Sequence, residues 1–307
     1  MKLTLIFITS RRESLFDEWF IPSLLNQLRP GDFGTNSISV IKVDLYASEK
    51  SERWLKKSFT GEEFALLNIL TTPPKPTVWQ GPHRLTKSDW WAISNARNTG
   101  ICLCRTEWIA FLDDRCVLMP HYLKSIREAM EDNYAVAGSY QKRFGMKVEN
   151  GSITHAGEVT GEDPRRSVGV VKTYGNHWFG CNSALPLEWC LEQNGWDETC
   201  DSLGLEDVVF GNMLVQNGHI TKFDPAMRII EDRPRDPGEG MPKRTDKGVS
   251  PNDKSHGLLN RIGGSKRAIH PFDIRDVRNK VLAGEPWPVP TQPDKDWWDQ
   301  QPLSEFA

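Results

Sequence analysis

The stretch Trp108-Ile109-Ala110-Phe111-Leu112-Asp113-Asp114-Arg115 is the most informative part of this 307-residue chain. A run of apolar residues that ends abruptly in charged ones is typical of a strand buried on both faces of a parallel sheet. Ligands of open α/β sheets bind beyond the carboxyl ends of such strands. Charged groups there are costly unless they are partnered, so we expect Asp113, Asp114 and Arg115 at a binding site. An aspartate pair that merely caps the following turn is the alternative.

The neighbouring segments predict a parallel sheet around this strand. Leu3 to Ile8 is a β-rich apolar run, apolar residues then recur at helical spacing until Pro30-Gly31, and Ser37 to Leu45 is a second β-branched run. Strand, helix and strand in this order predict a Rossmann-like beginning. The other predicted elements are an irregular segment from Thr71 to His83, a helix capped by Ser88 or Asp89, a helix from Pro120 to about Asn133, strands at 135–140 and 168–174 with a hairpin at Asn150-Gly151 between them, and helices at 186–193 and 206–217.

The composition of the chain changes after Ile230. From Glu231 to Ser255 almost no residue is apolar, while Pro, Gly and charged residues are frequent. This composition is typical of a long loop that serves as a functional lid or as a connector. The sequence therefore predicts a body at 1–230, a lid with a C-terminal extension at 231–284, and a Pro/Trp-rich tail at 285–307 whose tryptophans pack on the body.

Charge and apolar content exclude several classes of protein. Lys and Arg number 38 against 41 Asp and Glu, a formal net charge of −3, so no overall basic field attracts nucleic acid or anionic membrane. With 38% hydrophobic and 26% charged residues, the composition is globular. The first apolar run is too short for a signal peptide, and no stretch reaches the roughly 20 apolar residues of a membrane helix. The six cysteines are interpreted as small buried hydrophobes, which predicts a soluble, cytoplasmic protein.

Two more segments carry residues suited to nucleotide chemistry. Ser94-Asn95-Ala96-Arg97-Asn98-Thr99-Gly100-Ile101 precedes the apolar strand, and Arg97 can make planar bidentate contacts with a nucleobase or phosphate. A surface salt bridge is the alternative for Arg97. Gly195-Trp196-Asp197-Glu198 is followed by Glu206-Asp207 at the start of a helix, where the helix dipole stabilises a carboxylate able to act as a general base. Simple charge complementarity at the helix N-terminus is the alternative there.

The order and spacing of these three segments resemble those of family 2 and related GT-A glycosyltransferases. The usual motifs of that family are A-R-N-x-G, then D-x-D, then G-F-D-E followed by a helix that carries an E-D pair. The stretch Trp178-Phe179-Gly180-Cys181-Asn182-Ser183-Ala184 also resembles the acceptor half of galactosyltransferase-type members. The resemblance covers about Leu3 to Ile230. It implies an α/β GT-A fold, a Rossmann-like mixed sheet flanked by helices, with a nucleotide-sugar donor half at 1–114 and an acceptor half at 115–230.

The resemblance also implies roles for individual residues. Glu206 and Asp207 match the E-D pair, with Asp207 as the general base. Arg115 stands at the third place of D-x-D, where it cannot ligate a cation but can neutralise a diphosphate. We favour a retained divalent metal, Mn²⁺ or Mg²⁺, because the acidic residues otherwise gather negative charge beside the diphosphate. The implied metal ligands are Asp114, Glu231, Asp232 and His256, and the implied donor-binding residues are Thr9, Arg11 or its neighbour Arg12, Asp44, Arg97, Asp113 and Arg115.

These implications predict an inverting glycosyltransferase, a hexosyl- or pentosyltransferase, that uses a nucleoside diphosphate-sugar, above all a UDP-sugar. The acceptor stays open among a glycan, a protein and a hydroxymethylated base in DNA, since basic residues of the lid and many tryptophans suit nucleic acid. One alternative is a non-catalytic nucleotide-sugar or glycan-binding module with a degenerate metal motif, which Arg115 favours. A nucleotidyltransferase is less well supported, because no Gly-rich phosphate loop follows the first strand.

Overall fold

The computed structural model of the chain describes residues 2–28, 38–47, 67–77, 92–165, 167–198, 206–233, 265–268, 270 and 272–288. Its strands are β1 (Leu3–Thr9), β2 (Ile38–Asp44), β3 (Leu67–Thr72), β4 (Trp108–Asp113), β5 (Cys116–Leu118), β6 (Ala135–Phe144), β7 (Lys147–Glu149), β8 (Ser152–His155), β9 (Glu158–Glu162), β10 (Val171–Lys172), β11 (Asn182–Pro186) and β12 (Thr221–Asp232). A π-helical turn (Phe16–Phe20) leads into α1 (Ile21–Leu25), and the other helices are α2 (Ile93–Leu103), α3 (Tyr122–Asp132), α4 (Leu187–Glu192), α5 (Glu206–Gln216) and α6 (Ile274–Leu282), with a 3₁₀ turn at Gly175–His177.

Ten of the described strands form one mixed sheet in the order β10-β12-β6-β11-β4-β1-β2-β3, with β5 beside β12 and β9 beside β6. The strands β4, β1, β2 and β3 are parallel neighbours, whereas β11 runs antiparallel between β4 and β6. Because β12 runs parallel to β6, the carboxyl ends of β1, β2, β4, β6 and β12 all point toward one edge of the sheet. The predicted Rossmann-like mixed sheet flanked by helices is confirmed.

Both faces of β4 are buried, as its apolar run predicts. Ile109 and Phe111 belong to the core that α2, α4, α5 and α6 cover. Trp108, Ala110 and Leu112 belong to the core on the other face, which α1 and α3 cover. Burying one large apolar side chain stabilises a protein by about 1.5–3 kcal/mol. The strand is therefore a firm support for the charged residues that follow it.

Several elements differ from the sequence prediction. The apolar pattern does not predict β3, because this edge strand has one buried residue and is otherwise half-buried or exposed. It does not predict β5 either, which has only three residues. The strand expected at 168–174 is reduced to β10, a short exposed segment paired with β12. The helix cap predicted at Ser88 or Asp89 was wrong, because α2 begins at Ile93 with Ala92 as its N-cap.

The hairpin predicted at Asn150-Gly151 is confirmed between β7 and β8. Asn150 has a φ of 51° and Gly151 a φ of 73°, the two positive values that a tight turn of this kind requires. The tip of the hairpin packs on α1, where Asn26 Nδ2 donates to the Asn150 carbonyl oxygen over 2.8 Å. Gly151 is needed for this approach, because a Cβ there would lie 2.3 Å from the backbone nitrogen of Ser23.

The sheet continues past Ile230, where the sequence predicts a loop. The strand β12 extends to Asp232, because Glu231 pairs with Cys116 of β5 on one side and with Lys142 of β6 on the other. The assignment of Glu231 and Asp232 to a loop was therefore wrong.

The described part of the C-terminal extension packs on the body. Ile274, at the start of α6, is fully buried in the same core as α2. Arg278 Nη2 donates to the Cys104 carbonyl oxygen over 2.9 Å. Trp287, the tail tryptophan that the structure describes, packs against this core. Within the described ranges, no helix combines the length and apolar character needed to cross a bilayer.

Candidate active site

Residues singled out in the sequence gather at the carboxyl edge of the sheet. Thr9 ends β1, Asp44 ends β2, Asp113 ends β4 and Asp232 ends β12, while Glu206 opens α5. Strand ends held in one sheet keep their side chains in fixed relative positions, as a catalytic site requires. This edge is the candidate active site.

Arg97 of α2 lies at the centre of the candidate active site. Its Nη2 donates to Asp113 Oδ1 over 3.2 Å, and its Nη1 donates to Glu206 Oε1 over 3.3 Å. Burial lowers the pKa of the guanidinium, but Asp113, Glu206 and Asp207 together raise it, so Arg97 stays charged. The side chain is 2% exposed. It therefore joins two carboxylates inside the protein and is not a surface salt-bridge residue.

Aromatic and small residues hold the Arg97 guanidinium in place. The guanidinium carbon lies 4.2 Å from the centroid of the Trp196 ring, which in turn stacks on Phe210 at 4.0 Å. A Cβ at Gly180 would lie 2.6 Å from Arg97 Nη1, so only glycine leaves room there. Trp196 and Gly180 come from the G-W-D-E and W-F-G-C stretches of the sequence, and both stretches meet on Arg97.

Asp114 points toward the end of the first strand. Its Oδ2 accepts a hydrogen bond from Thr9 Oγ1 over 2.8 Å and lies 3.5 Å from Arg11 Nε. Burial raises the pKa of Asp114 to about 6, although Arg11 and Thr9 lower it. The structure thus brings three of the predicted site residues into one polar cluster.

Arg115 pairs with Asp232. The Arg115 Nη2 donates to Asp232 Oδ2, and the Asp232 backbone N–H donates to the Arg115 carbonyl oxygen over 3.0 Å. A left-handed φ of 57° at Arg115 turns the chain from β4 into β5. Because the guanidinium and the carboxylate neutralise each other, neither carries the uncompensated charge that a diphosphate or a metal ion requires.

Glu231 is the least well compensated carboxylate at this edge. It is 6% exposed, and its Oε1 is buried without a hydrogen-bond partner among the described residues. Its Oε2 lies 3.8 Å from Arg233 Nε. Burial raises the pKa of Glu231 to about 7, and Asp113 and Asp114 raise it further, while Lys142 and Arg233 lower it. Such a carboxylate favours a proton or a cation beside it.

The implied metal ligands are not brought together. No group of three or more His, Cys, Asp or Glu side chains within the described ranges is arranged to hold a metal ion. Asp114 is bonded to Thr9, Asp232 is bonded to Arg115, and His256 lies outside the described residues. The structure therefore does not assemble Asp114, Glu231 and Asp232 into one metal site.

Two carboxylates remain that fit a cation. Asp113 is 36% exposed at its side chain, and the Oε1 of Glu231 lacks a partner among the described residues. Burial and the negative charge of Asp113 both raise the pKa of the Glu231 carboxyl. Mg²⁺ bound with a nucleotide typically takes one or two protein carboxylates and completes its shell with phosphate and water. The pair therefore suits a cation that arrives with a diphosphate.

The acid pair at the start of α5 has two different environments. Glu206 is buried and bonded to Arg97. Asp207 is half-buried, and its Oδ1 accepts a hydrogen bond from the Val208 backbone N–H over 2.8 Å. Burial raises the pKa of both carboxyls, while Arg97 lowers it. Asp207 is the more accessible of the two and a stronger base than an ordinary aspartate.

Asp44 is engaged within the protein. Its Oδ2 lies 2.9 Å from Lys42 Nζ, and its Oδ1 accepts a hydrogen bond from the Tyr46 backbone N–H over 2.8 Å. The guanidinium of Arg12 lies 4.7 Å from the centroid of the Tyr46 ring. Arg12 and Tyr46, both more exposed than Asp44, therefore form the accessible surface at the end of β2.

The sequence analysis missed two lysines near the site. Lys75, in the Pro-rich segment, places its Nζ 2.8 Å from Glu198 Oε1, and the Glu198 backbone N–H donates to His270 Nδ1 over 3.2 Å. The second acid of G-W-D-E is thus held in a buried network that includes the C-terminal extension. Lys142 of β6 lies in register with Glu231. The sequence prediction ends this strand at residue 140, two residues before Lys142, so no sequence signal identified it.

Known proteins share this fold. Residues 83–185 match Glycosyl transferase family 2. TarS 1–349 of S. aureus in complex with UDP is 14% identical, with a TM-score of 0.56 over 92% of this chain and 70% of that chain. The same fragment in complex with UDP-GlcNAc gives a TM-score of 0.57, at 14% identity, over 92% and 71%. GalNAc-T7 with UDP, GalNAc and Mn²⁺ is 12% identical, with a TM-score of 0.57 over 94% of this chain and 59% of that chain. No curated protein matches the sequence.

The family match spans α2 with Arg97, β4 with its two aspartates, and most of β11. The solved structures, at this low identity, establish a common fold. Together the two findings support the resemblance that the motifs carry: this chain has the GT-A fold and is similar to Glycosyl transferase family 2 over residues 83–185.

Proposed function

We propose that the chain transfers a sugar, with inversion, from a UDP-sugar to an acceptor hydroxyl. The observation that carries the proposal is the bridge from Asp113 through Arg97 to Glu206, in which one buried guanidinium links the donor strand to the acid pair of α5. The UDP and UDP-GlcNAc complexes of the TarS fragment support UDP as the nucleotide. Thr9 and Arg11, clustered with Asp114, lie on the donor side of the bridge.

Asp207 is the general base in this proposal. The acceptor hydroxyl gives its proton to the Asp207 carboxylate while its oxygen attacks the anomeric carbon from the face opposite the diphosphate. The bond between the anomeric carbon and the diphosphate oxygen breaks, and its electron pair leaves with the diphosphate. Attack from the opposite face inverts the anomeric configuration. The raised pKa of Asp207 favours proton uptake.

A divalent cation, Mn²⁺ or Mg²⁺, would be held by Asp113 and Glu231 together with the diphosphate. When bound, it supplies charge neutralisation to the leaving group. The unpartnered Oε1 of Glu231 supports this assignment, since a buried carboxylate beside Asp113 is costly without a cation or a proton. Arg97 orients Asp113 for ligation by donating to its Oδ1.

The sugar and the acceptor are identified by assay. UDP-hexoses and UDP-pentoses are offered as donors, and a glycan, a protein and hydroxymethylated DNA as acceptors. Among the basic residues of the lid that suit DNA, Arg233 lies 3.8 Å from Glu231, and Arg235, Lys243, Arg244 and Lys247 lie outside the described residues. A cytoplasmic location stays a prediction from cysteine usage.

The structure does not bring Asp114 and Asp232 to a common metal site within the described residues. This arrangement favours a second candidate, a module that binds a nucleotide sugar without turnover. Release of UDP from UDP-GlcNAc and the other donors, with the acceptor panel, in EDTA and then in Mn²⁺ or Mg²⁺, distinguishes the two. The proposal requires UDP release that depends on a divalent cation and is lost in Asp207→Asn. Tight UDP-sugar binding with no release under any of these conditions would establish the binding module instead.

A further inference from the structure

We infer that Lys142 is a further residue of the donor site and that its ammonium group neutralises the diphosphate as it departs; the inference rests on the proposed function. Lys142 lies on β6 in register with Glu231 of β12. Side chains of register partners on adjacent strands emerge on the same face of a sheet. Lys142 therefore emerges on the same face of the sheet as Glu231.

Four arginines around the site already form ion pairs. They pair as Arg11 with Asp114, Arg97 with Asp113 and Glu206, Arg115 with Asp232, and Arg233 with Glu231. Lys142 differs from them, because no carboxylate in the described part of the chain forms an ion pair with its Nζ. Its charge is therefore available to a ligand.

The Lys142 side chain is held in position without an ion pair. Its stem packs over Gly161, where an added Cβ would lie 3.6 Å from the Cβ and Cδ of the lysine. Its Nζ lies 4.6 Å from the centroid of the Tyr140 ring. Tyr140 in turn contacts Phe179 edge to face at 5.6 Å, next to the Gly180 that abuts Arg97. These contacts hold the Lys142 ammonium group beside the Tyr140 ring.

Electrostatic coupling connects Lys142 to the centre of the site. Burial raises the pKa of the Glu231 carboxyl and of the Cys181 thiol, Asp113 raises both as well, and Lys142 lowers both. Lys142 and Asp113 therefore shift the pKa values of the same two groups in opposite directions. This coupling agrees with the register and with the packing.

The transfer step creates a need for this charge. When the bond between the anomeric carbon and the diphosphate oxygen breaks, the electron pair stays on the oxygen and the diphosphate gains one negative charge, while the acceptor proton goes to Asp207. A divalent cation held by Asp113 and Glu231 would share its two positive charges between those carboxylates and the diphosphate, so it would neutralise the added charge only in part. An ammonium group beside the departing oxygen stabilises the added charge.

Calorimetric titration of UDP, UMP and uridine against Lys142→Met tests the inference. A hydrogen bond to a charged group suggests a loss of UDP affinity of roughly 10- to 100-fold, with a smaller loss for UMP and none for uridine. Lys142→Arg should keep most of the UDP affinity. Lys222→Met is the matched control, because Lys222 lies on β12 opposite Val136 and also rests on a tyrosine, 3.7 Å from the centroid of the Tyr134 ring.

The outcomes of these titrations separate the role of Lys142 from the proposed function. Equal UDP affinity of Lys142→Met, Lys222→Met and the wild type would overturn the role of Lys142 while leaving the proposed function intact. An equal loss for UDP and uridine would also overturn it, since a lesion in the fold affects every ligand. Failure of the wild-type protein to bind UDP at all would overturn the proposed function and, with it, the inference.

Discussion

Replacing Arg97 by methionine removes the charge at the centre of the site. Methionine keeps an apolar stem between Trp196 and Gly180 but leaves Asp113 and Glu206 without their bridge. We expect the free energy of unfolding to fall by about 3–5 kcal/mol, the usual cost of leaving a buried charge without its partner. Natural domains have a free energy of unfolding of about 5–15 kcal/mol, so this loss is a large share of the stability of a typical domain.

Most of this loss should come from Glu206. Its side chain is 8% exposed, whereas that of Asp113 is 36% exposed and can be hydrated by water when the guanidinium is gone. An ion pair with that much exposure contributes about 1 kcal/mol or less. The contact with the Trp196 ring at 4.2 Å adds about 1–2 kcal/mol.

Urea denaturation of the wild type, Arg97→Met and the double variant Arg97→Met/Glu206→Gln measures these terms. The double variant should recover about 1–2 kcal/mol, because a neutral glutamine is less costly to bury than an unpaired carboxylate. Arg97→Lys should lie between, since an ammonium group cannot span both carboxylates and stack on the tryptophan. An Arg97→Met midpoint equal to that of the wild type, with the same m-value, would contradict the assignment of Arg97 as the structural centre of the site.

Three further substitutions test the neighbouring groups. Asp207→Asn should lower kcat by roughly 10²- to 10⁴-fold with unchanged UDP affinity, and the acid limb of the wild-type pH–rate profile should lie above the range of an ordinary aspartate, because burial raises the pKa of Asp207; calorimetry that shows lost UDP binding would contradict the role of base. Glu231→Gln in metal-free protein should leave stability unchanged below pH 4.5 and raise it by about 3 kcal/mol above pH 7, because the wild type loses stability as the pH rises from the ordinary pKa of 4.5 to the folded pKa of about 7; a urea midpoint shift of the same size at both pH values would argue against it. Lys75→Met should cost about 3 kcal/mol in the same assay, because it leaves the buried Glu198 without the ammonium group 2.8 Å away, and Glu198→Gln should recover part of the loss only if the pair is the cause.

The middle of the fold is predictable because its signal is local. β4 is buried on both faces and so carries an unbroken apolar run. The end of this run marks where the parallel strands end and where Asp113 and Asp114 lie. β3 and β5 carry no such run, since β3 lies at the sheet edge and β5 has three residues. The extent of β12 depends on strands far along the chain, which is why Glu231 reads as loop from composition alone.

The motifs of the candidate site are predictable, but the partners within it are not. Arginine is seldom buried, and Arg97 is buried only because Asp113, Glu206 and Trp196 converge on it from distant segments. The pair of Arg115 and Asp232 spans 117 residues of sequence. No local sequence pattern contains such a pairing, although the pairing determines which charged groups remain available to a ligand.

The docking of α6 on α2 bears on how the protein folds as it is synthesised. The hydrogen bond from Arg278 to Cys104 spans 174 residues, and Ile274 is buried in the core that β4 shares. On the ribosome, α2 and β4 emerge long before α6, so one apolar surface of the nascent body stays uncovered until Leu282 has left the exit tunnel. Contacts of such separation form slowly and leave the intermediate prone to association. The core that β4 shares with α6 is therefore complete only after α6 has been synthesised.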